Sequence, residues 1–280
     1  MGNTVYRQYD QAALDAQYEQ RTLVPDVASY MRGWRDASDE VRRRYDAISE
    51  VAYGSGERER IDLFPADRNG APLVVFLHGG AWRRLSKDDA LYPAPLYLER
   101  GIAFAAVGFD LVPAVTLARQ VEQVGEALNW IRNNARHFGL DAERFFLIGN
   151  SSGGHLAGML MTEENRGVPR GALLVSGIYD LEPVQLSSRN EYLNLDPATA
   201  RVLSPVERIP SNGAPLVVGW GGLELDEFQR QSSSFAAAWE QRGGVVERAF
   251  MPEKNHFDMT TALGEAGSPL LEPFFQLIEA

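Results

Sequence analysis

Gly149-Asn150-Ser151-Ser152-Gly153 is the stretch of this 280-residue chain best suited to chemistry. It follows the apolar run Arg144-Phe145-Phe146-Leu147-Ile148 and leads into a helix-like run from Gly154 to Met161. Strand, sharp turn and helix form the context in which G-x-S-x-G presents a nucleophilic serine. Such a turn strains the serine backbone and leaves no room for side chains at the flanking positions. It also stands the hydroxyl above the sheet edge, at the positive end of the next helix, where it can attack a carbonyl. The glycines decide between the two serines. Gly149 and Gly153 flank Ser151 at two residues on either side, whereas Ser152 has Asn150 at the first of those positions. Ser151 is therefore the candidate nucleophile.

A second segment fits the same chemistry. His78-Gly79-Gly80-Ala81-Trp82 follows Pro72-Leu73-Val74-Val75-Phe76-Leu77, which reads as a buried strand. An HGG-type loop after such a strand offers backbone N–H groups to a developing oxyanion, together with the N–H of the residue after the nucleophile. The donors expected here are Gly80, Ala81 and Ser152. Removing one such donor typically lowers a rate about 10²- to 10³-fold. A Gly-Gly turn that merely closes a strand would explain the glycines, but not the elbow downstream.

The serine needs a base, and the base an orienting acid, in the chain order Ser, Asp/Glu, His. The chain has four histidines. His78 lies in the loop just described, His137 closes an amphipathic helix, and His155 sits just inside the helix after the elbow. His256 alone follows both the elbow and a later strand-like run, Val245 to Met251, in a loop opening into a helix. It is the expected base. The acid should follow the strand Ala214 to Trp220, where Glu224, Asp226 and Glu227 compete. Asp226 suits the N-cap of the next helix, and Glu227 its first turn. That leaves Glu224 in the loop proper, with Asp226 as the alternate acid.

These motifs resemble the α/β-hydrolase superfamily in its hormone-sensitive-lipase-like branch, and more narrowly the kynurenine formamidase (arylformamidase) group and its bacterial esterase relatives. The resemblance runs over nearly the whole chain: Tyr9 to Tyr18, His78 to Trp82, Asp110-Leu111-Val112-Pro113, the elbow, Ser176 to Leu181, Glu224 to Ser232 and Asn255-His256-Phe257. It implies an acid four residues before the Phe of the Glu-Phe pair, which is Glu224. Relatives often carry His or Asp before the nucleophile and Ala after it, where this chain has Asn150 and Ser152. The third position of the HGG loop is Ala81 rather than Gly or Tyr. Both departures bear on the shape of the acyl pocket. The resemblance implies a serine hydrolase acting on a small ester or an N-aryl, formyl-type amide through an acyl-enzyme. A silent binding protein on the same fold, or an acyltransferase using the same triad, are the alternatives. Trp82, Phe109, Tyr179 and Trp220 are candidate pocket walls.

Positioning such a site requires strands alternating with helices, hence an α/β fold with a mostly parallel sheet and helices on both faces. Strands are expected at Ile61–Phe64, Leu73–Leu77, Ala103–Gly108, Phe145–Gly149, Ala172–Ser176, Leu216–Trp220 and Val246–Met251, with Ser49–Tyr53 pairing antiparallel beside the first. Leu117, Val121, Val124, Leu128 and Ile131 share one face of a helix from Thr116 to His137. The first fifty residues are polar, helical and rich in Tyr and Trp, an arm or cap on what reads as a single domain, 1–280. With zero cysteines, disulfides, a cysteine nucleophile and thiolate metal sites are excluded. No His/Asp/Glu spacing suggests a metal and no phosphate-loop motif is present, so no metal or cofactor is expected. A net charge of −11 opposes nucleic-acid binding. It also disfavours anionic substrates unless local pocket charge overrides it. No apolar run nears a membrane span, and no signal peptide is evident. The expectation is a cytoplasmic protein with a small-molecule substrate and no membrane or nucleic-acid partner, a homodimer remaining open.

Overall fold

A computed structural model describes residues 3–162 and 169–280. Eight strands form one sheet: β1 Ile48–Ala52, β2 Arg60–Phe64, β3 Ala71–Leu77, β4 Ala103–Val107, β5 Leu140–Asn150, β6 Pro169–Val175, β7 Leu216–Gly221 and β8 Val246–Met251. Their order is β1-β2-β4-β3-β5-β6-β7-β8. β1 and β2 form the expected antiparallel hairpin, and β2 is antiparallel to β4. From β4 to β8 every pairing is parallel. β5 reaches back further than its apolar run suggests, because Leu140 pairs with Ala71 ahead of the main register.

Parallel strands need helical crossovers, and those cover both faces of the sheet. β3 illustrates the result. All seven of its residues are buried. Leu73, Val75 and Leu77 join one apolar cluster, and Val74 and Phe76 the cluster on the opposite face, as the period of two requires. The helix Leu117–Asn134 opens on Thr116, whose hydroxyl accepts the Arg119 N–H, and it buries the predicted stripe. His137 lies beyond its end in an exposed turn. The strand order reverses at β3 and β5, and the crevice beyond the carboxyl ends at such a point is where α/β sheets bind ligands. The loops after β3, β5, β6 and β7 all open there.

The N-terminal arm holds short helical turns at Gln11–Ala16 and Gln20–Leu23 and the longer helix Val27–Arg44. It lies against this same edge. Among the described residues no helix is long and apolar enough to cross a membrane.

Candidate active site

The elbow is built by close approach. A Cβ on Gly153 would fall 2.0 Å from the Leu77 carbonyl oxygen, and one on Gly149 would fall 2.3 Å from that of Gly153. Only glycine lets the turn pack on β3 so tightly. Ser151 consequently takes φ +54, a region that non-glycine residues seldom occupy. Its N–H donates to Val175 O at 2.9 Å, which pins the strained residue to β6.

The structure brings Ser151, His256 and Glu224 together. Ser151 Oγ lies 3.0 Å from His256 Nε2, and His256 Nδ1 lies 2.6 Å from Glu224 Oε1. A carboxylate can only accept, so it fixes the proton on Nδ1 and leaves Nε2 to accept from the serine hydroxyl. Glu224 is 4% exposed, and its other oxygen is also engaged. Oε2 accepts from the Gly221 N–H at 2.8 Å and from the Ser176 hydroxyl at 2.9 Å. These donors replace the water that a buried carboxylate loses. Ser176 directly follows β6, within a motif quoted for the family but without a role assigned from sequence. Asp226 is exposed and makes no contact with His256. It is the first helical residue rather than the cap, the cap position being Leu225, which has no capping side chain. Gln20 and Gln17 of the arm do that work instead, accepting from the N–H groups of Leu225 (3.4 Å) and Glu227 (3.1 Å).

His256 opens a short helix capped by Asn255, whose side chain accepts from the Phe257 and Asp258 N–H groups. The arm grips this helix through Tyr30 Oη donating to Asp258 at 2.8 Å and Trp34 Nε1 donating to Thr261 Oγ1 at 2.9 Å.

The loop after β3 carries positive φ at Gly80, Ala81 and Trp82 in succession. Gly80 and Ala81 border the same cavity as Ser151, and their N–H groups donate to no other group among the described residues. Ser152 begins the helix after the elbow, where backbone N–H groups lack intrahelical acceptors. Sequence reasoning gave Ser152 a backbone role only, and that needs correcting. Its hydroxyl accepts from the Trp82 N–H at 3.1 Å and so holds the loop. Gln120 adds a bond from its side-chain amide to Trp82 O at 2.7 Å. Asn150 joins three elements: it accepts from the Gly79 N–H at 3.1 Å and donates to Thr260 of the His256 helix at 3.1 Å.

The two other buried histidines are structural. His155 accepts from Trp82 Nε1 and pairs through Nε2 with Leu203 O. His78 stacks on Phe109 with ring centroids 4.4 Å apart. Burial pushes both imidazoles down to about 4, so they are neutral at ordinary pH.

The aromatic pocket walls expected from sequence are a second correction. Trp82, Phe109, Tyr179 and Trp220 are all buried and border no part of the cavity. Tyr179 stacks on Phe235 and Trp220 packs on Phe250. Aromatic residues dominate cores and sites alike, so type alone does not separate the two. The cavity, about 330 Å³, is walled instead by arm residues including Tyr18, Gln20, Met31 and Trp34, by Tyr192, Phe257 and several arginines. Folding also collects Glu50, Asp62 and Asp88 within 4.8 Å of one another, which no local spacing reveals. Lys87 and Arg42 fill that cluster. Lys87 Nζ lies 2.9 Å from both Asp62 and Asp88 and also contacts Glu50, while Arg42 reaches Asp62 and Asp88.

Comparison with known proteins fits this picture. The family model described as BD-FAE matches residues 61–174. A kynurenine formamidase of Salmo salar is 29% identical over 262 residues, covering 89% of this chain and 88% of its own. Esterase LipQ of Mycobacterium tuberculosis is 26% identical, over 79% of this chain and 60% of its own. Among solved structures, a Silicibacter sp. tm1040 protein provisionally described as a thioesterase superposes with a TM-score of 0.82 at 27% identity, covering 95% of this chain and 99% of that one.

Proposed function

We propose that this chain, a member of the α/β-hydrolase superfamily similar along most of its length to formamidases and esterases, hydrolyses small esters or N-aryl, formyl-type amides through an acyl-enzyme on Ser151. The observation carrying the reading is the continuous relay Ser151–His256–Glu224, beside a cavity lined by Ser151, His256, Gly80 and Ala81.

Ser151 Oγ adds to the carbonyl carbon as His256 Nε2 takes the hydroxyl proton. Glu224 stabilises the imidazolium without itself being protonated. The N–H groups of Gly80, Ala81 and Ser152 receive the oxyanion. Collapse expels the leaving group, which takes its proton from Nε2. Water, deprotonated by the same nitrogen, then releases the acid. An anilide leaving group depends on that proton, whereas a p-nitrophenolate leaves without it. An N-formyl aryl amide and p-nitrophenyl acetate therefore separate the two substrate classes.

Purified protein should turn over at least one of these, and Ser151→Ala should abolish the reaction while the fold, read by circular dichroism, persists. A fluorophosphonate should label Ser151. Ser152→Ala should keep labelling but lose part of its rate, because the buried Trp82 N–H is left unpaired at about 1–3 kcal/mol. Undiminished hydrolysis by Ser151→Ala would remove the assignment.

A further inference from the structure

A buried amide interrupts the apolar stripe of the helix Leu117–Asn134. Gln120 lies three residues after Leu117 and four before Val124, so helical spacing places it on the buried face. Its side-chain amide donates to Asp110 O and to Trp82 O, each at 2.7 Å, while its Oε1 is buried with no partner. An apolar side chain would fill this position without leaving an acceptor unmatched. The amide serves the segments it reaches rather than its own helix.

Trp82 O belongs to the peptide joining Trp82 to Arg83. The N–H of that same peptide donates to Gly80 O at 3.1 Å. Gly80 O in turn belongs to the peptide joining Gly80 to Ala81, whose N–H is the Ala81 donor of the proposed oxyanion hole. Two hydrogen bonds in series thus run from Gln120 Nε2 through two planar peptides to the Ala81 N–H. A bond accepted at a carbonyl makes the N–H of the same peptide a better donor, by about 10–30% per bond. The series also fixes direction. Ala81 and Trp82 hold positive φ, at +53 and +60, which persists only where surrounding groups over-determine it. Ser152 Oγ holds the peptide before Trp82 and Gln120 the peptide after it, so the Trp82 φ between them has little freedom. The Val112 N–H also reaches Trp82 O, at 3.0 Å, so removing the amide weakens the hold without abolishing it.

We propose that Gln120 is a positioning residue for the reaction, orienting and polarising the Ala81 N–H towards the oxyanion from a helix position that borders no part of the cavity. This rests on the reading of Ala81 as an oxyanion donor and adds a residue to it.

The test removes the amide and keeps the stripe filled. Gln120→Met preserves length and volume but donates nothing, and Gln120→Leu does the same with a second shape. With p-nitrophenyl acetate each should lower kcat by about 10-fold, short of the 10²- to 10³-fold of losing a donor outright. KM should change little, the pattern of an interaction made only in the transition state. The ketone 1,1,1-trifluoro-4-phenylbutan-2-one gives a second readout. Ser151 Oγ adds to its carbonyl carbon, the serine proton passes to His256 Nε2, and the carbonyl oxygen becomes the oxyanion. Its inhibition constant should rise by the factor by which kcat falls, while that of 4-phenylbutan-2-one, which forms no stable adduct, stays unchanged. A loss carried by KM, or equal weakening of both ketones, would mean that Gln120 only supports the walls of the cavity, and would overturn the proposal. So would parent-like kinetics in either variant. Amide exchange at Arg83, followed by NMR, separates this from the hydrolase reading. It should quicken in Gln120→Met whether or not any ester is turned over, and unchanged exchange would overturn the relay alone.

Discussion

Glu224 and Asp226 are two residues apart, yet only one has the surroundings of a catalytic acid. Glu224 is buried, bonded to His256 through one oxygen and to Gly221 and Ser176 through the other. Asp226 is exposed in the first turn of a helix, where a negative charge is mildly favourable. Glu224→Gln should therefore lower kcat by about 10⁴, the magnitude known for the equivalent change in chymotrypsin-type enzymes, because an amide can hold the wrong imidazole tautomer. Asp226→Asn should turn over near normally. Steady-state kinetics on both variants settles the matter, and a reversed pattern would move the acid to Asp226. Ser151, His256 and Glu224 were all legible in the sequence, since glycine register, chain order and loop position are local signals. Ser176, Asn150 and the hydroxyl of Ser152 were not. Their partners lie on other elements, Asn150 reaching Thr260 from 110 residues away.

At the scale of elements, the arm completes a helix that cannot complete itself. The helix Asp226–Gln241 starts after Leu225, with no side chain of its own to cap it. Gln17 and Gln20 supply the acceptors from the other end of the sequence. The capped turn directly follows the loop that holds Glu224, so the arm also steadies the acid. Gln17→Ala should destabilise the protein by about 1 kcal/mol, the usual worth of a cap. It should also speed amide exchange at Glu227, with a lower kcat and little change in KM. Unchanged exchange there would mean the contact is incidental. This dependence explains why the strands and the long amphipathic helix followed from periodicity, whereas the arm read as a cap beside the site or as a plain packed extension, with nothing to choose between them. Its function resides in contacts across more than two hundred residues, and polar glutamines give no periodic signal of such pairing.

For the whole molecule, two neutral histidines tie stability to pH. His78 and His155 are buried and depressed from 6.5 to about 4. The unfolded chain therefore binds more protons than the folded one between those values, so folding stability rises with pH across that window. The contribution is fully present above pH 6.5 and is lost as pH falls towards 4. For each histidine the loss is about 3 kcal/mol at most. Carboxylates with lowered values, such as Glu59 and Asp88, act in the same direction but only nearer their own ordinary range below 4.5. The interval from pH 6.5 to 5 thus isolates the histidines. Urea unfolding across it should show stability falling by about 1.4 kcal/mol per pH unit for each proton taken up, approaching two protons. In His155→Gln the slope should shrink by close to one proton. A flat profile in the parent protein would show that neither imidazole is held neutral. The coupling reaches the site as well as the fold. His78 starts the loop that presents Gly80 and Ala81, and His155 bonds the Trp82 indole at its far side. Charging either one is expected to loosen first the loop of the proposed oxyanion donors, so activity should be lost at a higher pH than the fold read by circular dichroism, and coincident loss of the two would overturn that order.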